Sequence, residues 1–170
     1  MKCVELVGRS LGNITLQQAF DVMFGEETMK EVHGSSLNVS KWNHKNERKL
    51  SFKIDIEQVP REIRTVFCGN KLKITTKQYK LEGPNRILVK NNIKMHFLGA
   101  EFFRVKPKFM LHQDEDFGQV YVSGRVEHHS LLPPPLNNIA EGFMAQNSKK
   151  EMDRYASIVE GRLLEITVNL

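Results

Sequence analysis

In the stretch RKLSFKIDI, Leu50, Phe52, Ile54 and Ile56 fall on one side of a period-two pattern, with Ser51, Lys53 and Asp55 on the other. A strand turns successive side chains to opposite faces, so the stretch predicts a half-buried antiparallel strand. The upstream run LNVSKWNH predicts its partner, through a turn at Lys45-Asn46. Four further runs repeat the alternation: KLKITTKQYKL, RILVKNNIKMH, EFFRVKPKFMLH and GQVYVSGRVEHH. They are separated by EGPN, LGA and DEDF, all turn-like, which predicts a meander. One register places Leu72, Ile74, Thr76, Ile87, Val89, Ile93, Met95, Phe103, Val105, Phe109, Leu111, Val120, Val122 and Val126 on one face. The other face then carries Lys71, Lys73, Lys77, Lys90, Lys94, Arg104, Lys106, Lys108 and Arg125. The expected sheet has an apolar side and a basic side.

On either side of these runs the pattern differs. KCVELVG reads as a short opening strand. Thr15 and Gln18 form a capping box, in which hydroxyl and amide satisfy each other's helix-end N–H groups, and Leu16, Phe20 and Met23 or Phe24 follow at helical spacing. Gly25 is placed to end that helix, and EETMKEVHG predicts a second one from Glu26 to Gly34. Beyond the meander, Pro133, Pro134 and Pro135 cannot donate to a sheet ladder and have a fixed φ, so they predict the end of the last strand and a stiff corner. Ile139 and Phe143 open a helical stripe that resumes at Met152, Tyr155, Val159, Leu163 and Ile166. Asn138 with Glu141, and Ser148 with Glu151, have capping-box spacing, which allows one helix or two joined near Asn147. The sum is an α+β chain: one strand, two short helices, six strands and a long C-terminal helix.

The length of 170 residues suits one domain over 1–170, and 40% hydrophobic with 26% charged residues is the balance of a globular protein. No apolar run approaches the ~20 residues of a membrane span, and MKCVELVGRS lacks a signal-peptide core, so the expected compartment is cytoplasmic. Cys3 and Cys68 form no metal-type pair and are expected to be buried free thiols. The net charge of +5 is spread along the chain, which permits transient contact with an anionic membrane surface without requiring it.

Catalytic signatures are missing. The sequence has no P-loop, G-x-S-x-G, H-E-x-x-H or Rossmann glycine pattern. His128 and His129 are strand neighbours that point to opposite faces and cannot chelate one ion, and His33, His44 and His96 lack a companion at ligand spacing, so neither a metal nor a cofactor is expected. The acidic run Asp114 to Asp116 belongs to a hairpin tip. No nucleic-acid partner is expected, because the sheet aromatics share the inward face and offer no outward stacking platform.

Six consecutive antiparallel strands curl, and with the opening strand at the edge the sheet wraps around the final helix. This order resembles the helix-grip fold of the START and birch-pollen-allergen superfamily over essentially the whole chain. Phe20 and Phe24, then Trp42 with Arg48 and Phe52, and the segment after Pro60 leading into KLKITTKQ, look most like the VASt type of sterol-transfer domain. The resemblance implies a cavity between sheet and helix for a sterol, phospholipid or similar molecule. VASt domains commonly sit in larger membrane-anchored proteins, and the expectation here is a chain without an anchor.

The residues argue for such a cavity independently, since one helical stripe cannot fill the concave face of a long curled sheet. The expected lining is Phe52, Ile54, Ile74, Thr76, Gln78, Val89, Asn91, Met95, Phe103, Phe109, Val122, Phe143, Tyr155 and Val159, with His128 nearby. Val59, Ile63, Val66 and Phe67, in the connection over residues 58–70, form a candidate lid, with an ordinary strand bulged at Gly69 as the alternative. The expected function is lipid or sterol binding, with lipid transfer as a further option. The alternatives are a polyketide cyclase- or hydrolase-like enzyme, nominating His128, Tyr155 and Glu101, and a protein- or nucleic-acid-interaction module without a ligand.

Overall fold

The computed structural model describes residues 1–55, 57, 59, 61–64, 71–97 and 99–168, and the side chains of residues 62, 63 and 71 lie outside that description. The elements are β1 (Lys2–Gly12), α1 (Leu16–Met23), α2 (Glu26–His33), β2 (Asn38–Val39), β3 (Glu47–Asp55), α3 (Arg61–Arg64), β4 (Lys71–Gly83), β5 (Arg86–His96), β6 (Phe103–Gln113), β7 (Val120–Ser130) and α4 (Leu136–Val168). The strands form one antiparallel sheet in the order β1-β7-β6-β5-β4-β3-β2, and α4 lies against β1 and β7.

The period-two reading describes the sheet. Leu72, Thr76, Ile87, Val89, Phe103, Leu111, Val120, Val122 and Val126 are buried, while Lys73, Lys90, Lys94, Arg104, Lys106 and Lys108 are exposed. The other inward residues, Ile74, Ile93, Met95, Val105 and Phe109, are only half-buried. This is the first sign that part of the concave face is left uncovered.

Thr15 caps α1 as its spacing predicts: its hydroxyl accepts from the Gln18 N–H at 3.0 Å, and the Gln18 side chain accepts from the Thr15 N–H at 2.9 Å. Gly25 stands at the start of α2, and Gly34 ends that helix at φ 89°, a left-handed value that favours glycine. At the β2–β3 turn, Asn43 Oδ1 accepts from the backbone N–H groups of Lys45 and Glu47.

Several expectations change. β1 runs for 11 residues, and a register shift between Leu6 and Arg9, with Gly8 at φ 53°, breaks the alternation that would have marked its length. β2 shrinks to two residues. Cys3 is exposed, because it sits on the outward side of the edge strand, and Cys68 lies outside the described residues.

The C-terminal helix is one unbroken element of 33 residues, with no joint near Asn147. Its start needs neither Asn138 nor a capping box. The Pro133 carbonyl accepts from the Leu136 and Asn137 N–H groups. Glu141 instead accepts from the Ser130 N–H at 3.0 Å and pairs with the N-terminal amine at 3.0 Å, tying the end of β7 to β1. Those donors hold its carboxyl below the usual range despite burial. The buried stripe of α4 is Ala140, Met152, Tyr155, Ala156, Val159 and Leu163, while Ile139 and Ile166 face solvent.

Candidate ligand cavity

Among the described residues, most of the buried apolar side chains gather into two clusters. One packs Phe20, Met23, Phe24, Met29, Leu50, Val89, Leu111, Val122, Tyr155 and Val159 between α1, α2, the sheet and the middle of α4. The other holds Val59, Leu72, Phe103, Leu132 and Ala140, with the half-buried Ile54, Met95, Phe97, Leu136, Phe143 and Met144 against it. Between them lies a space of about 670 Å³, within the range of small-molecule sites.

Its floor is the inward face of β3 to β7, and α4 forms one side through Phe143, Met144, Ser148, Met152 and Tyr155. The exposed charged residues Glu31, Lys53, Asp55, Glu151 and Arg154 also border it, and they mark where the space meets solvent between α2, β3 and α4. α2 is fastened across this opening. Arg154 donates to the carbonyls of Glu31 and Val32, and Arg162 pairs with Glu27 and Glu31.

Of the expected lining, Phe52, Ile54, Ile74, Thr76, Gln78, Asn91, Met95, Phe103, Phe109, Phe143 and Tyr155 border the space, as does His128. Val89, Val122 and Val159 do not: they belong to the first packed cluster, where α4 closes directly on the sheet. Val122 and Val159 there face a void of only about 10 Å³. Of the expected lid, Val59 is buried and borders the space, the side chain of Ile63 is not described, and Val66 and Phe67 lie outside the described residues, as does a bulge at Gly69. The connection carries the short helix α3, braced by Arg64 donating to the carbonyls of Val59 and Glu57.

A polar chain enters the wall from the packed side. Arg48, 5% exposed, donates through Nε to Gln78 Oε1 at 2.7 Å and through Nη1 to the Phe24 carbonyl at 2.7 Å, and its guanidinium lies 4.6 Å from the Trp42 ring centre. Gln78 Nε2 donates to Asn91 Oδ1 at 2.7 Å. Burial lowers the Arg48 pKa to about 10. Tyr155 donates its hydroxyl to the Met23 carbonyl and meets Phe109 edge-on, and burial holds its phenol well above the ordinary value.

Two histidines border the space. His33 stacks on Phe52 at 4.3 Å, and its pKa falls to about 4, through burial first and then the nearby Arg154 and Arg48 charges. His128, fully buried, has Nδ1 3.4 Å from the Lys2 carbonyl and Nε2 2.6 Å from Ser148 Oγ. The carbonyl accepts only, so Nδ1 carries the proton and Nε2 accepts from the hydroxyl. Burial also lowers the His128 pKa, which favours this neutral form. Among the enzyme nominees, Glu101 is exposed on the turn before β6 and does not border the space. Among the described residues, no three histidine, cysteine or acidic side chains are grouped to hold a metal.

No family model matches the chain, and no curated protein matches it in sequence. Solved structures match it in shape. Ara h 8.0201 superposes with a TM-score of 0.57 at 15% identity, covering 96% of this chain and 98% of that one. A conserved protein from Geobacillus kaustophilus gives 0.57 at 8% identity over 96% and 93%, and the protein TTHA0849 from Thermus thermophilus gives 0.55 at 10% over 97% and 99%. The fold is the helix-grip fold. At such identities the likeness concerns architecture alone. Within the helix-grip frame, the space between the two packed clusters is the hollow enclosed by the curled sheet and α4.

Proposed function

We propose that this chain holds a hydrophobic small molecule or lipid between its sheet and α4, by apolar burial and shape. The observation that carries the reading is the space of about 670 Å³ whose walls are mostly apolar side chains left half-buried by the fold. Uncovered apolar surface forfeits about 25 cal/mol per Å² that a ligand restores on entering. The VASt resemblance supports the sterol end of this range, since Phe20, Phe24, Trp42 and Arg48 form one contact group beside the space and Phe52 borders it. The basic outer face is suited to brief contact with an anionic membrane during loading. Among the described residues, no helix is long and apolar enough to cross a membrane.

Native mass spectrometry of gently purified protein, followed by organic extraction, tests the reading. The expected result is a hydrophobic adduct, or saturable binding of the neutral dye Nile red by stripped protein. Ile74→Trp, which fills the space, is expected to weaken dye binding at least tenfold while the protein still melts cooperatively. A stripped protein that binds no apolar probe rejects the proposal.

One observation favours a second reading, turnover of the bound molecule. The Ser148 hydroxyl and a neutral His128 are hydrogen-bonded on the cavity wall, the arrangement of a nucleophile with its base. Covalent labelling of Ser148 by a fluorophosphonate, abolished in His128→Gln, would support it. Inertness of Ser148 leaves the pair as a tie between β7 and α4.

A further inference from the structure

The polar chain in the wall has a direction. Arg48 has only donors, so the Gln78 atom facing it is the oxygen, and the Gln78 amide nitrogen faces Asn91. That nitrogen needs an acceptor, so Asn91 turns its oxygen to Gln78, and its own nitrogen points on toward the Pro107 carbonyl at 3.4 Å, a long contact. Two amide dipoles are thereby aligned head to tail away from a guanidinium, and their positive ends point along the cavity wall. Gln78 and Asn91 border the space, as does Thr76 on the same face. Each amide nitrogen keeps a second hydrogen beyond the one accounted for.

The charge behind this chain is uncompensated. Among the described residues no carboxylate pairs with Arg48, and its second terminal nitrogen is buried without a hydrogen-bond partner. Its contacts are a glutamine oxygen, a backbone carbonyl and the face of Trp42. A buried cation without a counter-charge is costly, and a native protein that keeps one commonly uses it. At the opposite end, Val59, Phe97, Phe103, Phe143 and Met144 make the wall apolar. The space is thus donor-rich and positive at one end and greasy at the other.

From this polarity we infer that the ligand is an amphiphile with a single carboxylate, lying with that group against Gln78 and Asn91 and its tail toward Phe103 and Phe143. A carboxylate matches one buried positive charge and offers a planar pair of acceptors to the two amide nitrogens. A phosphate monoester brings a second charge that the wall does not balance. The inference rests on the proposed hydrophobic-ligand reading and adds the chemistry of the ligand's polar end.

Calorimetric titration of stripped protein at pH 7.4 with oleic acid, methyl oleate and oleyl alcohol tests it, because the tail stays constant while the head changes. The acid is expected to bind at least tenfold more tightly than either neutral analogue. Asn91→Asp keeps an acceptor for Gln78 but turns an anionic oxygen toward the ligand, and it is expected to bring the acid-to-ester ratio down toward one. Arg48→Met is expected to do the same, with a thermal melt to verify folding; if it does not fold, Asn91→Asp alone decides. Equal binding of acid and ester by the unaltered protein overturns the inference and leaves the hydrophobic-ligand reading standing. Failure to bind all three together with Nile red overturns both.

Discussion

The two ends of the cavity are built differently from similar residues. Under α1, Phe20 meets both Phe24 and Trp42 at a tilt, with ring centres 5.1 and 5.7 Å away, and Arg48 and Tyr155 donate to the backbone carbonyls of Phe24 and Met23 beside them. At the other end, Phe97 and Phe103 lie 6.0 Å apart, but Ile54, Met95, Phe97, Phe143 and Met144 around them are only half-buried. Aromatic residues alone therefore do not make a solid core. At the first end Arg48 and Tyr155 hydrogen-bond to the backbone around the rings and the methionines are buried, whereas half-buried Met95 and Met144 leave the second end able to repack around a guest.

Breaking the packed end should cost most. Phe20→Ala is expected to lose about 3 to 5 kcal/mol in urea unfolding, the range for a buried aromatic truncated to alanine. Phe143→Ala, at the other end, is expected to lose clearly less and to alter Nile red affinity instead. Equal losses from the two substitutions would abolish the contrast.

The next effect is pH-dependent and belongs to the packed end. His33 titrates near 4 when folded and near 6.5 when unfolded, so the unfolded chain binds the extra proton between those values. Its contribution is full at neutral pH and is lost as pH falls through that window, by about 2 to 3 kcal/mol. His33→Gln should flatten the stability profile between pH 6.5 and 4; an unchanged slope would assign it to His128 and Glu141, which shift in the same direction.

Gly124→Ala probes the seam where α4 closes on the sheet. An added Cβ would lie 2.8 Å from the Phe109 ring and 2.9 Å from the Met152 terminal methyl. Overpacking of this kind costs about 1 to 3 kcal/mol. A neutral outcome by thermal melt would mean that this end yields as readily as the other. The smallest effect is expected at the surface: Arg162→Ala removes the ion pairs to Glu27 and Glu31 and should cost less than about 1 kcal/mol.

The sequence discloses the sheet because its two faces differ in kind. Leu72 and Lys73, or Val105 and Lys106, cannot exchange places without burying a charge, so the register is written in the alternation. It does not disclose whether the space opposite an apolar residue is filled. Val89 and Ile74 look alike in the pattern, and only the path of α4 makes one solid core and the other cavity wall. Ser148 has capping-box spacing, yet it sits inside α4 because its hydroxyl answers His128, a partner 20 residues away. Arg48 was available to the same parity argument, since it stands two residues before Leu50 on the inward face of β3. A charged side chain in a strand is ordinarily assigned to solvent, and that habit conceals it.

The strap formed by Arg154 and Arg162 over α2 has a kinetic meaning. For a chain that holds cargo as proposed, affinity is set deep inside, by apolar walls and by whatever meets Gln78 and Asn91. Departure past α2 has to wait for two guanidinium groups to release one short helix. Residence time and equilibrium occupancy are then controlled by different residues, so the strap acts as a clock that can be reset without changing what is carried.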